Sequence, residues 1–210
     1  MTAIAAPTWA VIPTMGRELL HDCLASLRGQ VDGIVLVTNN GYTATDVTDV
    51  TVVRDPGEDH NISRWWNLGL DALARHGLPE WNAVVLNDDV TLEQGAVQRM
   101  AGVLRRRRAA LAFPGPVERL LTEPGGERIT GWCFMLRGEG ALRADERYAW
   151  WYGDNDLDWT ARAAGGAVTV PGIGMVHADP NGYTNRIPAL AAQAGRDRDT
   201  FLATWGRLPH

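Results

Sequence analysis

The chain reads as an α/β protein built on a mostly parallel sheet covered by helices on both faces. Three observations predict this. Short β-branched runs alternate with stretches of helical periodicity through the first hundred residues, in β-α-β order. The fourth run, at 84–86, is continuously apolar, as a strand buried on both faces must be. A hydrophobic content of 45% over 210 residues is enough for one sizeable core.

In chain order, residues 8–12 form the first expected strand, broken by Pro13 and Gly16. Leu19, Leu20, Cys23, Leu24 and Leu27 recur at three- and four-residue spacing, which predicts a helix with one apolar face. Residues 34–37 and 50–53 are the next two strands, the former ended by Asn39, Asn40 and Gly41. After a polar loop over 55–61, Ser63 is the expected cap of a helix reaching Arg75, with Gly77 and Pro79 as its stop. Past the fourth strand, Thr91 and Gln94 stand at capping-box spacing and predict a helix carrying Val97, Met100, Ala101 and Leu104. Beyond about residue 110 the alternation becomes irregular. Residues 129–136 read as a longer strand, a short helix runs through 161–164 to Gly165 and Gly166, and Val168 and Met175 mark a strand pair. The last thirty residues show a helical pattern. The expected organisation is one catalytic domain over 1–180 and a helical tail over 181–210 packed on it, with a small antiparallel part.

Composition excludes several classes of function. With 20 basic and 25 acidic residues, the chain carries no electrostatic footprint for non-specific nucleic-acid or membrane-surface binding. All twenty basic residues are Arg, so no mechanism can use a lysine amine. Two cysteines are too few for a disulfide framework. The first nine residues lack a basic, then apolar, leader pattern, and no run approaches about 18 apolar residues. A soluble, cytoplasmic protein is expected.

The segment VVLNDDVTL sets Asp88 and Asp89 directly after the fourth strand. In such sheets ligands bind beyond the carboxyl ends of strands, where two carboxylates suit Mg2+ or Mn2+. The structural alternative is that they favour the positive end of the following helix. Asp154, Asp156 and Asp158 mimic a calcium loop but fail it, because its sixth and twelfth positions are Trp159 and Gly165. Near a helix start, Asp154 is either a cap or a general base, its proton affinity raised among Trp150, Trp151, Tyr152 and Trp159. His177 is either a structural residue or a metal partner of Asp89. Nine Trp among sixteen aromatics is a high share. Trp132, Trp150, Trp151 and Trp159 are either core or flat apolar faces for a ligand. Arg105 to Arg108 read as a solvated helix end, with acceptor phosphate binding as the sharper alternative.

Six of these segments, in order, resemble glycosyltransferase family 2, whose fold is GT-A, over residues 10–177. VIPTMGR is similar to its first strand and nucleotide-side loop, LVTNNGYT to its second-strand segment, and NISRWWNLGLD to its helix with N-x-G at Asn67 and Gly69. VVLNDDV resembles the D-x-D segment, YGDNDLDWTARAAGG the E-D-x-D-L segment, and Val176 with His177 the late histidine. Small bacterial and phage-encoded members are the most similar. The resemblance implies an inverting hexosyltransferase-like enzyme that moves a sugar from a nucleotide-diphosphate sugar, foremost a UDP-sugar, to a hydroxyl acceptor. That acceptor is a glycan, protein side chain, small molecule or modified nucleobase. The implied roles are Asp89 and His177 for the metal, Asp154 or Asp156 for the base, and Pro13, Thr14, Arg17, Asn39, Asp55, Asn67 and Asp88 for the nucleotide side. Asp145, Glu146, Trp132, Trp150 and Trp151 face the sugar or acceptor.

The departures are Asn39 and Asn87 for acids on the donor side, and Gly153 for the Glu before Asp154. A sugar nucleotidyltransferase is the first rival, weighed against by the missing lysines. An aspartyl phosphatase fails because Asn87 cannot be its nucleophile. A non-catalytic nucleotide-sugar-binding module with the same fold is the third.

Overall fold

The computed structural model describes residues 6–39, 41–42, 50–126, 128–180 and 182–209. Its main sheet has eight strands: β1 (Thr8–Pro13), β2 (Gly33–Thr38), β3 (Val50–Arg54), β4 (Asn82–Leu86), β6 (Leu111–Pro114), β7 (Arg119–Leu121), β8 (Cys133–Arg137) and β9 (Ala167–Val170), in the order β3-β2-β1-β4-β8-β6-β9-β7. Strands β3, β2, β1 and β4 are mutually parallel. β8 runs antiparallel between β4 and β6, and β6 is parallel to β9. A second sheet pairs β5 (Val90–Leu92) with β10 (Met175–His177) antiparallel.

Six α-helices complete the described chain: α1 (Leu19–Leu27), α2 (Ile62–Ala74), α3 (Ala96–Arg107), α4 (Gly153–Ala163), α5 (Gly182–Arg186) and α6 (Pro188–Trp205). The central strands are apolar on both faces because both faces are covered. In β1, Ala10 and Ile12 pack with the buried faces of α1 and α3, whereas Val11 points to the opposite core with Trp65, Leu70 and Leu73 of α2 and Leu157 and Ala161 of α4. Helix α6 docks separately, with Phe201 packed on Tyr148 and Trp159.

The expected strands 8–12, 34–37, 50–53 and 84–86 fall within β1 to β4. Asn40 and residues 43–49 lie outside the described residues. The expected caps are misplaced. Asn61, not Ser63, caps α2, its side chain accepting from the Arg64 amide at 2.9 Å. Ser63 instead donates to the Tyr148 carbonyl at 2.7 Å. Thr91 lies in β5, and α3 begins after Gly95 in the left-handed conformation. Gln94 reaches the carbonyls of Ser26 and Arg28 rather than its own helix. The strand read over 129–136 begins only at Cys133. Val168 and Met175 sit in strands of different sheets and do not pair. Strands β6 and β7 had no expectation.

Gly69 lets α2 lie directly on β1, since a Cβ there would overlap Val11 Cγ1. Replacing Gly69 with Ala is expected to destabilise the fold by about 1–3 kcal/mol, read as a lower denaturation midpoint at unchanged denaturant slope. An unchanged midpoint would show that the helix is free to shift outward.

Candidate active site

The strand order reverses at β1, whose neighbours β2 and β4 are reached by connections in opposite directions. A crevice opens at that point beyond the carboxyl ends. There a cleft of about 450 Å³ is lined by the turn after β1, the turn after β4, residues 128–132, the 150–155 segment, His177, Asp179, Pro180 and residues 182–184.

One wall is acidic. Asp88 and Asp89 are 2% and 3% exposed. Asp88 accepts from the Thr14 hydroxyl at 2.8 Å, from Arg17 Nε at 3.2 Å and, more closely, from Arg17 Nη2. Arg17 Nη2 also lies 3.1 Å from Asp89 Oδ2, Nη1 lies 3.2 Å from Asp179, and the guanidinium covers the Tyr183 ring at 4.3 Å. One permanently charged group thus serves three carboxylates. The β5–β10 pair brings His177 opposite Val90, and the Ala178 amide donates to the Asp89 carbonyl at 3.0 Å. His177 Nε2 therefore stands 3.2 Å from Asp89 Oδ1, an oxygen without a hydrogen-bond partner. Burial holds the imidazole below its ordinary range, against the pull of Asp89.

Two ligands in cis positions around a cation at about 2.1 Å lie about 3 Å apart, so Asp89 and a neutral His177 fit a divalent cation as a pair. Among the described residues no group of three or more His, Cys, Asp or Glu is arranged to hold a metal ion. The Trp132 ring lies tilted against His177 with ring centroids 4.3 Å apart.

Across the cleft, Asp154 opens α4. Burial pushes its carboxyl up to about 6, opposed by backbone N–H donation from Asn155 and from its own amide. Two glycines admit it. A Cβ on Gly131 would sit 3.1 Å from the Asp154 carboxyl carbon, and a Cβ on Gly153 would overlap Ser63 Oγ. The second contact is the physical reason for glycine where the resembled motif has Glu.

Pro13, Thr14, Arg17, Asp88, Asp89, Trp132, Trp150, Trp151, Asp154 and His177 thus share one cleft. The other expected residues do not line it. Asp55 is taken by Arg64, by the Trp65 indole at 2.8 Å and by the Gly57 amide at 3.0 Å. Asn39 reaches the Asp59 carbonyl at 3.4 Å. Asn67 exchanges two hydrogen bonds of 2.9 Å with the Ala144 backbone and donates to Glu146 Oε1, which fixes the 144–146 loop. Asp145 is held by Arg147. Asp156 accepts from the Trp205 indole at 2.8 Å under α6, so Asp154 is the carboxylate of the pair that faces the cleft. Trp159 is core, 1% exposed. Arg105 pairs with Glu139, and Arg106 and Arg107 with Glu118, which gives the arginine run partners on its own surface. Burial holds the Cys133 thiol up to about 12 and raises that of Cys23, so neither supplies a thiolate.

Sequence reasoning missed Asp179, Tyr183 and Thr184, which enter because α5 folds back over the cleft. It also missed Trp65, Trp66 and Thr130. Trp65 and Trp66 are both buried in the core beneath α2 and reach the cleft only at its floor, so no periodicity in the sequence marked them.

Among the described residues no helix is long and apolar enough to cross a membrane. No curated protein sequence matches the chain. Solved structures do. Truncated TarS from S. aureus (residues 1–349) superposes with a TM-score of 0.57 at 9% identity, over 94% of this chain and 72% of that one. GalNAc-T7 with UDP, GalNAc and Mn2+ gives 0.62 at 13% identity, over 83% of this chain and 44% of that one. A longer TarS structure gives 0.55 at 11% identity, over 91% and 42%. These likenesses establish the GT-A fold expected from the sequence. The MobA-like NTP transferase domain matches residues 10–198, and the chain belongs to that family.

Proposed function

We propose that this GT-A protein is a metal-dependent, inverting glycosyltransferase of the family 2 kind, using a nucleotide-diphosphate sugar and a hydroxyl acceptor. The observation that carries the reading is that Asp88, Asp89 and His177 share one cleft with Asp154, whose carboxyl is raised to about 6. The Mn2+ and UDP in the GalNAc-T7 structure support the same donor chemistry here.

Asp89 and His177 would hold Mn2+ or Mg2+, which when bound neutralises charge on the departing diphosphate. Asp88 fixes Arg17, and Thr14 fixes Asp88, so the guanidinium is preorganised for phosphate oxygens on the same side. Trp132, Trp150 and Trp151 offer flat faces to the sugar and the acceptor ring. Asp154 accepts the acceptor's hydroxyl proton as that oxygen bonds to the anomeric carbon. The bond to the diphosphate breaks on the opposite side, so the configuration inverts.

The family match favours a second reading, nucleotidyl transfer from an NTP to a phosphorylated substrate. Against it, a base with a raised pKa serves a hydroxyl, whereas a phosphate nucleophile is already ionised. Incubation with nucleotide sugars, Mn2+ and simple hydroxyl acceptors separates the readings. Release of nucleoside diphosphate supports glycosyl transfer. Pyrophosphate release from an NTP with a sugar phosphate supports the alternative, and tight nucleotide-sugar binding without turnover supports a binding module.

Four outcomes are expected. Asp89→Asn loses Mn2+-dependent UDP binding in calorimetry, and wild-type affinity would refute the metal assignment. Asp154→Asn keeps that binding and loses transfer by about 10²–10⁴-fold. The wild-type rate falls about tenfold per pH unit below about 6, where Asp154 becomes protonated. Fourth, because its folded-state pKa is raised, ionised Asp154 costs stability, by about 1–3 kcal/mol, a cost that grows between about pH 4 and 6 and then levels off. Asp154→Asn should therefore melt higher than wild type at pH 7.5 and alike at pH 4. A lower melting point at both would mark Asp154 as a structural cap.

A further inference from the structure

We propose that Asp197, on α6, is a positioning residue for the acceptor wall. Its buried carboxylate fixes the backbone of residues 149–151, and through it the placement of Trp150, Trp151 and Asp154. This rests on the glycosyltransferase reading of the cleft.

Asp197 is 0% exposed. A carboxylate so buried must be compensated by dipoles or by a cation. Here Oδ2 accepts from the Trp150 amide at 2.9 Å and the Trp151 amide at 2.8 Å, and Oδ1 from the Ala149 amide at 3.2 Å and the Gln193 side chain at 2.7 Å. Three consecutive backbone N–H groups thus converge on one anion.

The carbonyls of the same segment are held from the other side. The Ile62 amide donates to the Ala149 carbonyl and the Ser63 hydroxyl to the Tyr148 carbonyl, both at 2.7 Å, and Asn61 Nδ2 donates to the Glu146 carbonyl at 2.8 Å. Helix α2 grips the oxygens and α6 grips the nitrogens. The clamped segment leads directly into Tyr152, whose φ of 64° is the left-handed conformation that a tyrosine adopts only under constraint. Gly153 and Asp154 follow as the first turn of α4. The Trp150 indole donates to Thr184 at 2.8 Å, a further tie to the α5 side of the cleft. A slip of this segment would move both tryptophans and the carboxylate together, while leaving Arg17, Asp88 and Asp89 in the turns after β1 and β4.

The test compares wild type with Asp197→Asn, which keeps size but turns one acceptor atom into a donor facing backbone N–H groups. Expected are at least tenfold faster hydrogen exchange at residues 149–151, UDP–Mn2+ affinity within twofold of wild type, and an acceptor KM raised fivefold or more. The acid limb of the pH–rate profile should also move below 6 as water reaches Asp154. Gln193→Ala, which removes one of the four donors, should change the same quantities by two- to fivefold and guards against simple misfolding. Unchanged exchange in Asp197→Asn would show that the clamp is absent. Faster exchange with unchanged acceptor KM and pH profile would show that it does not set the site. Either result overturns the proposal. If wild-type protein turns over no nucleotide sugar, the glycosyltransferase reading fails instead, and the exchange measurement alone decides the clamp.

Discussion

Two carboxylates buried at the end of a parallel strand need positive charge within reach, and this cleft is organised around that need. Asp88 and Asp89 sit almost fully out of water. Leaving either uncompensated would cost several kcal/mol. Arg17 supplies part of the compensation from the turn after β1, held by Asp88, which Thr14 in turn holds, and by the Tyr183 ring. That leaves Asp89 Oδ1, which faces a histidine whose pKa burial lowers against the pull of Asp89. Arg17 thus reaches both carboxylates, and Asp89 Oδ1 is the oxygen left without a hydrogen-bond partner, which is why the proposed cation is placed on the β10 side.

The sheet order explains why these groups meet. Parallel pairing of β1 with β4 puts two strand ends side by side at the reversal point, so Thr14 and Arg17 arrive next to Asp88 without any long excursion of chain. The antiparallel β8 extends the floor, since the Asn87 amide donates to the Trp132 carbonyl at 3.0 Å just past the strand ends. The small β5–β10 sheet then carries His177 back from late in the chain. The opposite wall comes from helices α2, α4 and α6, so the cleft joins a wall fixed by strands to one fixed by helices.

Much of this was legible in the sequence, and the limits are physical. β1, β2, β4, α1 and most of α2 follow from periodicity, because each buries a continuous stripe, and β3 follows from its β-branched run although it is an edge strand with no fully buried residue. Asp88, Asp89 and His177 stood out because they end apolar runs and Asp154 because of its aromatic neighbours, and the structure brings all four to one cleft. What failed were inferences in which one residue type has several uses. Thr91 and Gln94 satisfy the spacing of a capping box, but Thr91 is a strand residue and Gln94 binds the end of α1. Asn67 has the composition of a ligand contact and instead substitutes for backbone pairing with Ala144. Asp55 carries its charge to Arg64. Asp154 and Asp156 are indistinguishable in sequence, and the difference is set by Trp205, forty-nine residues further on. Asp197 gave no local signal, since its partners are main-chain amides.

The central claim is that donor phosphates lie beside Asp89 and His177 while the transferred sugar lies between them and Asp154. A crystal structure with UDP, Mn2+ and a non-transferable sugar nucleotide tests it most directly. The account predicts an anomalous manganese peak in contact with Asp89 and His177, the diphosphate beside Arg17, and the face of the sugar opposite the diphosphate turned toward Asp154. Nucleotide bound away from this cleft, or a sugar turned so that Asp154 cannot reach that face, would contradict it.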